Sequence, residues 1–125
     1  MSGVVKKILI VEDDTFISSL VKARLEKEGF EVVQAFDGEE GLRLLKAEKP
    51  DLIILDLIMP KSSGFELMEQ LNINVEFNQI PLMILSNLAQ ESDIQKAKNL
   101  GAREFFIKIR TSIDDVVARA KELMG

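Results

Sequence analysis

Three short segments of the sequence are almost entirely apolar, and they constrain the fold more than any other feature. They are ILIV at residues 8–11, LIIL at 52–55 and LMIL at 82–85. Such runs are typical of strands covered on both faces, because a strand with one solvated face alternates apolar and polar residues. Helical patterns separate the runs, so the sequence predicts βαβ units and a parallel sheet.

Five strands and five helices are predicted in alternation. The strands cover residues 6–12, 31–35, 51–56, 80–86 and 104–109. Because crossover connections are right-handed, few arrangements remain, and the fold class we predict is α/β, a doubly wound five-stranded parallel sheet of order 2-1-3-4-5. No linker or low-complexity segment interrupts the pattern. We therefore expect a single domain over residues 1–125.

The helices have sequence signals at their ends. Ile17, Leu20, Val21 and Leu25 form an apolar stripe in the first helix, and Gly29 stops it. Later helices are predicted to begin at pairs with the spacing of capping boxes, and the last helix to turn its apolar residues toward the sheet. These pairs are Asp37 with Glu40, Ser63 with Glu66, and Ser112 with Asp115.

Composition excludes several kinds of chemistry. The sequence has no Cys and no His, which removes thiol nucleophiles, zinc thiolates, His-containing triads and phosphohistidine chemistry within this chain. Its formal net charge of −5 argues against direct binding to nucleic acid or to an anionic membrane surface. No apolar run approaches the ~18 residues of a membrane span, and no signal peptide is evident, so we expect a cytoplasmic protein.

One carboxylate lies within the apolar segment LIILDLIMP, at Asp56. A buried charge needs partners, since burying it alone is very costly. In an open α/β sheet the carboxyl ends of the strands meet where the winding reverses, so polar residues at those ends should converge. The residues concerned are Glu12, Asp13, Asp14, Asp56, Ser86 and Lys108.

These residue types suit a metal ion and an anionic ligand. Clustered carboxylates repel one another unless a cation joins them, and oxygen ligands without nitrogen or sulfur select Mg²⁺ or a similar ion. The Ser86 hydroxyl can donate to a phosphoryl oxygen, and the Lys108 ammonium can pair with phosphoryl charge. Asp14 is expected to be the N-cap of the first helix instead.

Four motifs together resemble the receiver domain of two-component response regulators, of the chemotaxis-regulator type, over essentially the whole chain. The motifs are ILIVEDD, DLIILDLIMPKSSGFEL, LMILSN and GAREFFIKI. The resemblance implies that Asp56 is the phosphoacceptor. It also implies that Mg²⁺ or Mn²⁺ is held by Glu12, Asp13, Asp56 and the backbone carbonyl of Ile58.

The same resemblance implies a switch and its partners. Ser86 and Lys108 would contact the phosphoryl group, and Ser86 with Phe105 would form the switch, although Phe105 could equally be a plain core residue. The phosphoryl donor would be a sensor histidine kinase or a phosphotransfer protein. An unknown output protein would bind the face formed by the fourth helix, fifth strand and fifth helix. Such a protein is not an enzyme in the usual sense, but it catalyses its own Mg²⁺-dependent phosphorylation and dephosphorylation.

One position departs from the family. The lysine is usually followed by a proline through a cis peptide, whereas this chain has Ile109, and a non-proline cis bond costs ~2.5–4 kcal/mol. We therefore predict a trans peptide there. The departure leaves open an alternative function, a receiver-like interaction module that is not phosphorylated.

Two other functions, a phosphatase and a flavin carrier, fit the sequence less well. A haloacid-dehalogenase-type phosphatase needs a second Asp where this chain has Ile58. A flavin carrier would need a glycine-rich phosphate loop and an aromatic ring of Trp or Tyr, and the sequence contains neither residue type.

Overall fold

The computed structural model describes residues 4–60, 63–88 and 90–125. In these ranges the five strands are β1 (Lys7–Val11), β2 (Glu31–Ala35), β3 (Leu52–Leu55), β4 (Leu82–Ser86) and β5 (Glu104–Ile107). The helices are α1 (Thr15–Lys27), α2 (Gly38–Glu48), α3 (Gly64–Ile73), α4 (Glu91–Asn99) and α5 (Ile113–Met124), and a 3₁₀ turn covers Lys108–Arg110. Residues 1–3 of the predicted domain, and Lys61 and Ser62 of the acceptor motif, lie outside the described residues.

The strands form one parallel sheet in the order β2-β1-β3-β4-β5, which confirms the predicted topology. The winding reverses between β1 and β3. Val11 is aligned with Leu55 there, so the residues that follow them emerge side by side at the carboxyl edge. At the other end of the sheet Ser86 is aligned with Ile107, which brings the ends of β4 and β5 together in the same way.

Both faces of the sheet are covered by helices, as the apolar strands predicted. Leu9, Val11, Ile53 and Leu55 face a core shared with α2, α3 and α4. Their neighbours Ile8, Ile10, Leu52 and Ile54 face a second core shared with α1 and α5. The central strands are thus buried on both sides and form a rigid base for the residues at their ends.

The predicted helix starts are confirmed by capping contacts. Asp14 caps α1, and its carboxylate accepts hydrogen bonds from the backbone N–H groups of Phe16 and Ile17. Asp37, Ser63 and Ser112 each accept from the N–H three residues further on. The longest described helix has 13 residues, and no helix in the described ranges is long and apolar enough to cross a membrane.

Three details of the sequence prediction are wrong. The fourth strand begins at Leu82 and not at residue 80. The fifth strand ends at Ile107 and not at 109, because the Thr111 hydroxyl donates to the Ile107 carbonyl (2.8 Å) and the chain turns. Lys108 therefore begins the 3₁₀ turn. In α1 Leu20 is 43% exposed, whereas Ser18 is fully buried and accepts a hydrogen bond from Gln34 (2.8 Å).

Candidate functional site

Asp56 follows β3 directly and is almost fully buried, with 4% of its surface exposed. Its backbone N–H donates to the carbonyl of Val11 (3.0 Å), which continues the strand pairing by one residue. Oxygen Oδ1 accepts from the Ser86 hydroxyl (2.6 Å) and from the N–H of Ile58 (3.1 Å), and Oδ2 accepts from the Lys108 ammonium (2.8 Å). The buried carboxylate thus has partners at both oxygens.

Lys108 links two carboxylates at the carboxyl edge of the sheet. Its Nζ lies 2.6 Å from Glu12 Oε1 and 2.8 Å from Asp56 Oδ2, and the three side chains are 4–12% exposed. The second oxygen of Glu12 accepts from the backbone N–H of Asp14 (3.1 Å). The sequence placed Glu12 and Lys108 at one edge but did not predict this ion pair, which depends on the alignment of strands far apart in the chain.

Burial and charge shift two pKa values in this group. Burial raises the pKa of Glu12 to about 7; the hydrogen bond from Lys108 opposes this shift, and the nearby Asp56 charge adds to it. Partial burial lowers the pKa of Lys108, but its hydrogen bonds to Asp56 and Glu12 outweigh burial and raise the pKa above its usual value. Lys108 is therefore charged at neutral pH, whereas Glu12 takes up a proton more readily than an ordinary glutamate.

Three carboxylates in this group could together contribute ligands to a hard metal ion. Glu12, Asp13 and Asp56 each offer one oxygen, and these oxygens lie within 4.8 Å of one another. Asp13 is exposed whereas the other two are buried, so the cluster opens to solvent on the Asp13 side. An all-oxygen, anionic set fits Mg²⁺ or Mn²⁺. At Ile58 the structure shows a contact through the N–H, and a role for its carbonyl stays a prediction.

Gly64 allows α3 to begin directly against the acceptor loop. Its N–H donates to the Leu57 carbonyl (3.1 Å). A Cβ at this position would lie 2.6 Å from the Asp56 carbonyl oxygen and 2.8 Å from the Leu57 Cα, both of them backbone atoms. Any larger residue would have to push the helix away from the loop that carries Asp56.

The two predicted switch residues occupy different surroundings. Ser86 is fully buried; its hydroxyl donates to Asp56 and accepts from the N–H of Leu88 (3.3 Å), so it already contacts the acceptor in this structure. Phe105 is half-buried against the core on the α4 side, whereas Phe106 packs on the opposite side of β5. A switch role for Phe105 stays a prediction.

Asn87 is a candidate functional residue that the sequence analysis missed. Its Oδ1 accepts a hydrogen bond from the backbone N–H of Ile109 (3.1 Å), and thereby joins the loop after β4 to the turn after β5. The peptide before Ile109 is trans, as predicted, since the described residues contain no cis peptide. The sequence feature that could have predicted this contact is Ile109 itself, because its backbone N–H is a hydrogen-bond donor that a proline at this position would lack.

Comparisons with known proteins point to one family. Residues 8–121 match the model of the response regulator receiver domain. YcbL, an uncharacterized transcriptional regulatory protein of Bacillus subtilis, is 41% identical over 90% of this chain and 48% of its own length. Protein PilH of Pseudomonas aeruginosa is 37% identical over 82% of this chain and 84% of its own.

A solved structure shows the same fold. The CheY-like response regulator receiver domain protein of Methanospirillum hungatei aligns with a TM-score of 0.90 and 30% identity, covering 97% of this chain and 94% of that one. The present chain spans about half the length of the curated transcriptional regulators that it matches, such as YcbL and PhoP of Bacillus subtilis.

Proposed function

The chain belongs to the response regulator receiver family, and from that membership we propose that it accepts a phosphoryl group on Asp56 in a two-component phosphorelay. The donor would be a phosphohistidine on a sensor histidine kinase or on a phosphotransfer protein. The observation that carries the proposal is the surroundings of Asp56, a buried carboxylate with a hydroxyl on one oxygen and an ammonium on the other. No observation favours the alternative of an interaction module that is not phosphorylated.

The proposed reaction transfers a phosphoryl group from the donor histidine to Asp56. A carboxylate oxygen of Asp56 attacks phosphorus, the P–O bond forms as the P–N bond to the donor imidazole breaks, and the imidazole nitrogen retains the electron pair. Lys108 places a positive charge where the phosphoryl oxygens arrive, and the Ser86 hydroxyl can donate to one of them. Such transfer depends mainly on positioning and electrostatics, which a rigid sheet edge supplies.

The metal would be held by Glu12, Asp13 and Asp56. When bound, Mg²⁺ supplies positive charge beside the transferring group and offsets the mutual repulsion of the three carboxylates. Lys108 contacts two of these carboxylates in the structure, so its ammonium lies beside the oxygens that would hold the metal and accept the phosphoryl group.

We propose that the output is read on the face formed by α4, β5 and α5. Ser86 ends β4 just before the segment that leads to α4, and Phe105 lies on β5, so a rearrangement at Ser86 would reach this face first. In the cell we place this single receiver domain in the cytoplasm. An NMR comparison should show phosphorylation-dependent amide shifts from about Ala89, which lies outside the described residues, to Thr111, and these shifts should exceed those of α2. Shifts confined to the loop after β3 would contradict the proposed output face.

The function itself is tested by phosphorylation in vitro. Incubation with acetyl phosphate and Mg²⁺ should add about 80 Da to the intact mass, the change expected when a phosphoryl group replaces a proton. Chelation of Mg²⁺ should abolish the gain. A chain that gains no mass with Mg²⁺ and excess phosphodonor would support the alternative.

A further inference from the structure

The hydrogen bond from Ile109 to Asn87 joins two loops at the edge of the acceptor site. Because Ser86 is aligned with Ile107, the residues that follow them lie opposite each other at the carboxyl ends of β4 and β5. Asn87 Oδ1 lies 3.1 Å from the N–H donor of Ile109. The bond therefore extends the connection between two neighbouring strands beyond their last paired residues.

This contact supplies a hydrogen-bond acceptor for the backbone N–H of Ile109. The first N–H groups of a helical turn have no acceptor within the turn, and Ile109 is the second residue of a three-residue 3₁₀ turn. A proline at this position would have no N–H to satisfy. Ile109 keeps the donor, and the side chain of Asn87 provides the acceptor.

The two bonded residues each follow a residue that contacts Asp56. Asn87 follows Ser86, which donates to Asp56 Oδ1, and Ile109 follows Lys108, which donates to Asp56 Oδ2. The hydroxyl and the ammonium that contact Asp56 are therefore tied together by a third hydrogen bond outside the crevice. A displacement of either loop should therefore displace the other.

We propose that Asn87 is a positioning residue for phosphoryl transfer, which holds the turn carrying Lys108 in place through its hydrogen bond to the Ile109 backbone. This inference rests on the proposed function, since it assigns Asn87 to the same reaction. It also gives Ile109 a role. The Ile109 side chain is 81% exposed, so the contact that fixes this residue is the one that its backbone N–H makes to Asn87.

Three variants test the bond. Asn87→Ala removes the acceptor, Asn87→Asp retains an acceptor oxygen, and Asn99→Ala is a matched control on the exposed side of α4. In the unphosphorylated protein, amide hydrogen exchange at Ile109 should be about three- to tenfold faster in Asn87→Ala, the change expected from the loss of one hydrogen bond. Exchange in the other two variants should stay close to that of the native protein.

The positioning role needs a kinetic measurement. With acetyl phosphate as donor, the maximal phosphorylation rate of Asn87→Ala should fall about three- to tenfold, while half-saturation by Mg²⁺ stays unchanged because Asn87 contacts none of the three carboxylates. Asn87→Asp should restore the rate. Ile109→Pro removes the donor instead, so Asn87→Ala should have no further effect in that background.

The possible results test the hydrogen bond, the positioning role and the proposed function separately. Unchanged Ile109 exchange in Asn87→Ala would overturn the bond, and faster exchange with an unchanged phosphorylation rate would overturn the positioning role. Full additivity of Asn87→Ala and Ile109→Pro would also overturn it. If the native protein gains no phosphoryl group, the proposed function fails and the positioning role fails with it, whereas the exchange result still reports on the bond alone.

Discussion

Replacement of Lys108 by methionine should expose the electrostatic balance of the site. The substitution keeps most of the apolar stem but removes an ammonium that lies 2.6 Å from a Glu12 oxygen and 2.8 Å from an Asp56 oxygen. Both carboxylates are buried, and the metal-free variant would hold them side by side without their shared cation. We expect a loss of stability that depends on pH.

The magnitude follows from the state of Glu12. With Glu12 protonated, the main loss is one charged hydrogen bond to Asp56, worth about 2 kcal/mol. With both carboxylates ionised, the loss approaches the about 3–5 kcal/mol typical of a broken buried ion pair. Burial raises the pKa of Glu12 to about 7 in the native protein, and the Lys108 hydrogen bond opposes that rise. The pKa of Glu12 in the variant should therefore exceed 7.

The sign of the pH dependence follows from linkage. A carboxyl pKa raised on folding stabilises the protein fully below the unfolded value of 4.5, and this contribution is lost as pH rises through the folded pKa. In the native protein this stabilisation should be lost by about pH 7. In the variant, whose Glu12 pKa is higher, the free energy of unfolding should continue to fall above pH 7, by up to about 1.4 kcal/mol per pH unit. The destabilisation caused by the substitution should thus grow between pH 6 and pH 8.5.

Urea unfolding of metal-free protein at these two pH values measures the effect. Lys46→Met, at an exposed lysine of α2, serves as the control and should change the free energy of unfolding by less than about 0.5 kcal/mol at both pH values. A destabilisation by Lys108→Met that is independent of pH, or larger at pH 6, would refute the assignment of the raised pKa to Glu12.

Three further predictions concern the same site. Gly64→Ala should destabilise the fold by about 1–3 kcal/mol in urea unfolding and slow phosphorylation, because the new Cβ meets backbone of the acceptor loop; equal stability would contradict this. Asp13→Asn should weaken Mg²⁺ binding at least about tenfold, because even residues that only support a metal ligand typically cause such a loss when they are replaced. Calorimetric titration measures the affinity, and an unchanged value would show that Asp13 is not a metal ligand. Ile58 and Leu88 flank the crevice and are apolar, so neither side chain can hold an attacking water by a hydrogen bond, and we expect phospho-Asp56 to persist. Ile58→Asn or Leu88→Glu should change the rate of its decay, by at most about 10²–10⁴-fold, without preventing phosphorylation. Decay of the native phosphoprotein within seconds, or decay unaffected by both substitutions, would show that these residues do not protect it.

Much of the fold could be predicted because its determinants are local. The apolar runs at 8–11, 52–55 and 82–85 have the length and pattern of strands buried on both faces, and the structure places them so. Capping residues such as Asp14 act on the next few N–H groups, so their role is readable from neighbouring positions. Burial of Asp56 could be predicted from the same runs.

Other features depend on partners distant in sequence. Ser18 is buried in α1, where its hydroxyl accepts a hydrogen bond from Gln34 on β2, whereas Leu20 is 43% exposed against the periodic expectation. Lys108 lies in a 3₁₀ turn because a later hydroxyl, that of Thr111, closes the chain after β5.

The central claim is that Asp56 carries the phosphoryl group, and intact mass of two matched variants tests it most directly. Asp93→Asn removes a half-buried carboxylate of α4, whereas Asp56→Asn removes the proposed acceptor. After incubation with acetyl phosphate and Mg²⁺, the native protein and Asp93→Asn should each gain about 80 Da, and Asp56→Asn should gain nothing. An equal gain in Asp56→Asn would contradict the account.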